Sequence, residues 1–86
     1  MTPQDAAQWM LAHLQKRKFI DQETAAWHFL KHAKELSYMN DNGNPAIDKR
    51  VLTEFRKLMP DNVVWSRSSR HWRFREKHDK PGRMQS

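Results

Sequence analysis

The stretch Val63-Val64-Trp65-Ser66-Arg67-Ser68-Ser69-Arg70-His71-Trp72-Arg73-Phe74-Arg75 decides the fold. Its apolar residues alternate with polar ones, the period of a half-buried strand. Folding it back between Ser68 and Ser69 pairs Trp65 with Trp72 and Val63 with Phe74, and all four then share one face. Val64, Ser66, His71, Arg73 and Arg75 line the other face. A loop of three would set Trp65 against His71 or Arg73, so apolar matching selects a loop of two or four. Ser-Ser is a poor two-residue turn because neither residue favours φ > 0. A four-residue loop, Arg67 to Arg70, keeps the register and removes that conflict.

Upstream of this hairpin the period is helical. At 100° per residue, Ile47, Val51, Leu52, Phe55, Leu58 and Met59 fill an arc of about 140°. Asp48 would fall inside that arc as a buried carboxylate without a partner, so it reads as the N-cap, with Ile47 before it stapling to Leu52. A helix over 49–59 follows, stopped by Pro60, with Lys49, Arg50, Thr53, Arg56 and Lys57 on its opposite face. Before it lies Asp41-Asn42-Gly43-Asn44-Pro45, the strongest turn signal in the chain, with Gly43 expected at positive φ. Tyr38-Met39-Asn40 reads as at most one short strand. A second helix over 22–36 carries Ala26, Phe29, Leu30, Ala33 and Leu36 as its buried stripe, with Asp21 as N-cap and Ile20 stapling to Ala25. The first helix spans 3–17: Thr2 caps it, Pro3 opens it, Asp5 completes a capping box, and Ala6, Trp9, Met10, His13 and Leu14 recur at helical spacing. The fold class is α+β, three helices followed by a two-stranded hairpin. Residues 1–76 form one domain, and 77–86 are expected to be a flexible polar tail.

Composition narrows the function. The chain has 86 residues, enough for one small core. It has no cysteine, which removes disulfides, thiolate metal sites and a cysteine nucleophile. Its apolar runs fall far short of the ~20 residues a membrane span needs, and no secretory leader opens it. A cytoplasmic protein of bacterial style, without membrane association, is the expectation. The net charge is +6, and it is concentrated: residues 63–86 hold seven Lys/Arg and two Asp/Glu, while 1–62 are nearly balanced. A localised basic surface suits a polyanion.

The order helix, helix, turn, helix, hairpin resembles a winged helix, a helix-turn-helix variant whose hairpin is the wing. The stretch from Asn44 to Arg83, with NPAID, VVWSRS, HWRFRE and PGR, also resembles a small bacterial domain family of unknown function. The winged-helix resemblance implies that the third helix is the recognition helix. One departure stands out: residues 37–47 separate the second and third helices, where a tight helix-turn-helix uses about three or four.

The candidate nucleic-acid-binding residues are Lys49, Arg50, Thr53, Arg56 and Lys57 on the helix, Arg67 and Arg70 at the wing tip, and Arg73 and Arg75 on the outer side of the hairpin. Lysine and arginine neutralise phosphates, and arginine reads guanine bidentately. Double-stranded DNA is the expected partner, in the role of a transcriptional regulator or a mobile-element accessory protein. The competing readings are a protein–protein interaction module on the same fold and an RNA binder. Trp65, Trp72 and Phe74 are expected in the core rather than as base-stacking platforms, and Trp9 and Trp27 in the core or at its border. His28 and His32 read as exposed, because no further ligands complete a zinc set, and His13 as a border residue. No phosphate loop, HExxH or nucleophile elbow is present, so neither an enzyme nor a cofactor is expected.

Overall fold

The computed structural model describes residues 1–76, 79, 82, 84 and 85. Helix α1 spans Pro3–Arg17. Its capping box is complete: the Asp5 amide donates to the Thr2 hydroxyl at 3.1 Å, and the Thr2 amide donates to the Asp5 carboxylate at 3.2 Å. Lys18 ends it in the left-handed region, at φ 72. Strand β1, Phe19–Asp21, follows immediately and leads into α2, Gln22–His32. The second helix is therefore shorter than its apolar stripe suggests. Ala33 breaks it, and Lys34–Leu36 form a single 3-10 turn. Strands β2, Ser37–Met39, and β3, Pro45–Ile47, make a small antiparallel hairpin around the expected turn, where Gly43 has φ 78. The third helix, α3, is Lys49–Leu58. Asp48 caps it as expected, accepting the Arg50 amide at 2.8 Å.

Strands β4, Val63–Ser66, and β5, His71–Phe74, form the decisive hairpin. Val63 pairs with Phe74 and Trp65 with Trp72, in the register that apolar matching selects. Arg67–Arg70 is the four-residue loop, and Arg70 carries the positive φ, 52, that closes it. The sheet is larger than the sequence suggests. Strand β1 pairs antiparallel with β5, and β6, Met84–Gln85, pairs parallel with β4, in the order β1-β5-β4-β6.

One core unites these elements: Ala6, Met10 and Leu14 of α1, Ala25, Ala26 and Phe29 of α2, Val51 and Phe55 of α3, and Ile20, Val63 and Trp72 of the sheet. Trp72 meets Phe55 edge-on at 5.2 Å, and Trp65 lies 4.6 Å from Trp72. Trp65, Phe74 and Trp9 pack against this core half-buried.

Three expectations need correction. Trp27 is not at the core border: it is 51% exposed, because α2 turns Ala25, Ala26 and Phe29 inward. His28 is not on an open polar face, since its ring stacks on Trp9 at 3.9 Å. The outer side of the hairpin is not open either. Val64 and Ser66 are buried, and beside them Arg73 grips Asp79, a residue of the expected tail. Of that tail, residues 77, 78, 80, 81, 83 and 86 lie outside the described residues; Asp79, Met84 and Gln85 return to the sheet. Among the described residues, no helix is long and apolar enough to cross a membrane.

Candidate nucleic-acid interface

Helix α3 presents its polar face to solvent because its apolar arc is occupied by α1 and the sheet. Lys49, Arg50, Thr53, Arg56 and Lys57 are all exposed on that face. They are not electrostatically equivalent. The Arg50 guanidinium donates to Asp48 at 3.0 and 3.2 Å and to the Glu35 carbonyl at 3.3 Å. Those bonds hold the Asp48 carboxyl below its ordinary value, and Asp48 in turn raises the Arg50 guanidinium. Lys57 lies 3.4 Å from Glu54. Thr53 donates its hydroxyl to the Lys49 carbonyl at 3.0 Å. Lys49 and Arg56 have no carboxylate at ion-pair distance among the described residues.

The hairpin cations divide in the same way. Arg67 and Arg70 sit in the exposed loop, without a carboxylate partner among the described residues. Arg73 does not extend their surface. Both of its Nη atoms donate to Asp79, at 2.7 and 2.8 Å, and the Asp79 side chain is 4% exposed. This bidentate pair raises the Arg73 guanidinium further, through the hydrogen bonds first. Arg75 donates to the Gly82 carbonyl. Of the nine positions singled out from sequence, the structure therefore leaves Lys49, Arg56, Arg67 and Arg70 as cations with no carboxylate partner among the described residues. It couples Arg50, Lys57 and Arg73 to carboxylates.

Gln22, at the start of α2, brings the two regions together. Its amide donates to the Arg70 carbonyl at 3.0 Å. On one side it lines a shallow apolar groove of about 290 Å³ with Arg56, Leu52, Met59, Trp65, Trp72 and Met84. On the other it lines a larger groove, about 580 Å³, beneath the hairpin tip. Sequence reasoning missed the second groove, because its walls come from three places: Trp27 and Glu23 of α2, Asn40 and Asn44 of the β2–β3 turn, and Ser68 to Arg70. The described residues contain no group of histidines and carboxylates placed to hold a metal.

The long connection before α3 is closed at its base. The Asp48 amide donates to the Leu36 carbonyl at 2.9 Å, and the Ser37 hydroxyl lies 3.1 Å from the Ala26 carbonyl and 3.0 Å from that of Ala46. The β2–β3 hairpin is thus an excursion whose two ends meet.

Fold and site define a small α+β domain: three helices and a hairpin, with a strand between the first two helices bound to the hairpin. The family model described as Family of unknown function (DUF6953) matches residues 2–74, and the chain belongs to that family. No curated protein and no solved structure matches it.

Proposed function

We propose that this domain is a winged-helix-like, non-enzymatic module that holds duplex DNA on the outer face of α3 and on the β4–β5 loop. The observation that carries the reading is the exposed face of α3, where five polar residues, four of them cationic, face solvent, together with an exposed loop that bears Arg67 and Arg70. Two features support it. Strand β1 pairs with β5 and so ties the hairpin to the segment between α1 and α2. The Asp48–Leu36 bond closes the excursion between α2 and α3 at its base, although eleven residues separate the two bonded positions. A regulator or an accessory protein of a mobile element fits this chemistry.

The test is a titration of labelled duplex at several salt concentrations. Affinity falls with salt at a log–log slope of about 0.9 per phosphate contact. Lys49→Ala and Arg56→Ala, which remove uncompensated cations, weaken binding more than Lys57→Ala, whose ammonium already faces Glu54. Equal effects from all three, or no binding at low salt, overturn the reading. A protein partner is the second reading. It is favoured by the apolar groove beside Arg56, where Met84 is 63% exposed, and it stands if no nucleic acid binds.

A further inference from the structure

The groove beneath the hairpin tip holds three chemically distinct groups that leave one another alone. Trp27 offers an indole that is half exposed and lines the groove. Glu23, one turn earlier on α2, is exposed and has no partner among the described residues. Arg70 also lines the groove and is not ion-paired with Glu23, although both border the same space. A cation and an anion that share a groove without pairing can each take a different end of one ligand. The indole in the same groove adds a stacking platform, which accepts any planar base.

From this arrangement we infer that the groove holds one unpaired nucleotide, its base stacked on Trp27, its phosphate at Arg70 and an exocyclic amine donated to Glu23. Phosphate belongs at Arg70, the one cation among the described residues that line the groove. The base belongs on the α2 side, where carboxylates accept from the amines of adenine or cytosine and Asn40 and Asn44 supply amides. Thymine has no such amine. The groove, about 580 Å³, is large enough for a nucleotide. The inference rests on the duplex-binding reading in that α3 and the loop deliver the nucleic acid to the groove, as at an overhang or an opened end.

The experiment measures fluorescence anisotropy of labelled oligo(dA), oligo(dC) and oligo(dT), with a blunt duplex in parallel. The expected result is that oligo(dA) and oligo(dC) bind about fivefold tighter than oligo(dT), the scale of one ordinary hydrogen bond in an open groove. Trp27→Ala weakens all three about tenfold, as loss of a stacking platform does, and Trp27→Phe restores most of it. Glu23→Gln brings oligo(dA) and oligo(dC) close to oligo(dT). Both side chains are exposed, so melting temperatures stay near that of the parent, and blunt-duplex affinity is unchanged. Single-strand binding that ignores Trp27→Ala overturns the inference. So does a Trp27-dependent affinity for oligolysine in place of oligonucleotide, which assigns the groove to a basic peptide. Duplex binding without single-strand binding removes the groove and leaves the α3 reading standing. Absence of both removes both.

Discussion

Trp72 packs more closely than any other ring of the hairpin, 8% exposed and braced by Phe55 and Trp65. Trp72→Ala is expected to cost about 3–5 kcal/mol in urea denaturation, comparable to the whole stability of a domain this small. Trp65→Ala costs less, because Trp65 is only half-buried. Asp48→Ala removes the α3 cap and costs about 0.5–2 kcal/mol, whereas Asp48→Asn keeps most of the capping. The Asp48 carboxyl is depressed in the folded protein, so its stabilisation is complete above the ordinary carboxylate range and lost only as acid drives the pH down through its lowered value. Asp48 was legible in the sequence because a helical wheel leaves it no partner inside the apolar arc. Trp27 carried a signal too: it lies about 100° from Ala26 on the wheel, outside the stripe. The size of its ring argued for burial, and geometry prevailed.

Among the elements, β1 was illegible for a physical reason. Three residues show no period of two, and Phe19-Ile20 has meaning only opposite Arg73 and Trp72, far along the chain. Strand β3 escaped for the same reason, while the β4–β5 hairpin was legible in full register because eight residues carry matched tryptophans. Ile20→Ala, at a fully buried position facing Trp72, is expected to cost about 2–5 kcal/mol and to free the hairpin. Asp79→Ala leaves Arg73 without its bidentate partner beside buried Val64; a loss of roughly 1–3 kcal/mol in chemical denaturation is expected, while Arg73→Met with Asp79→Ala recovers part of it. The α1–α2 joint is sensitive to protons. Burial first, then Arg17, lowers the His13 imidazole, and burial, then His32 and His13, lowers that of His28. The unfolded chain therefore binds more protons than the folded one just below pH 6.5, and stability falls as the pH drops from there. Melting temperatures across pH 5–7.5 check this, and His28→Gln is expected to flatten the acid limb.

For the molecule as a whole, net charge is a poor guide to the charge on offer. The last quarter of the chain supplies most of the excess, yet Arg73 is neutralised by Asp79 from the same segment. The composition showed the excess but not the pairing, because Asp79 meets Arg73 only after the chain has folded back over the sheet. Arg67 and Arg70 are the two loop cations left to act at a distance. Replacing both with alanine is expected to flatten the salt dependence of duplex binding by about two units. The melting temperature stays nearly constant, since neither side chain is buried. A double variant with the parental slope takes the loop out of the interface.

The bond between β1 and β5 also dictates a timetable. It joins residues 19–21 to 71–73, so it closes most of the chain into a loop, whereas β4 and β5 meet across four residues. Closing the larger loop costs more entropy, and the local hairpin forms first. The first strand then docks on a template that already exists. Truncating Ile20 to valine should accordingly quicken unfolding in stopped-flow measurements and leave the refolding rate almost untouched, while lesions at Trp72 slow refolding. A chain emerging residue by residue must hold the apolar edge of Phe19 and Ile20 unpartnered until Arg73 has been added, which leaves that edge open to chaperones or to neighbouring copies in the meantime.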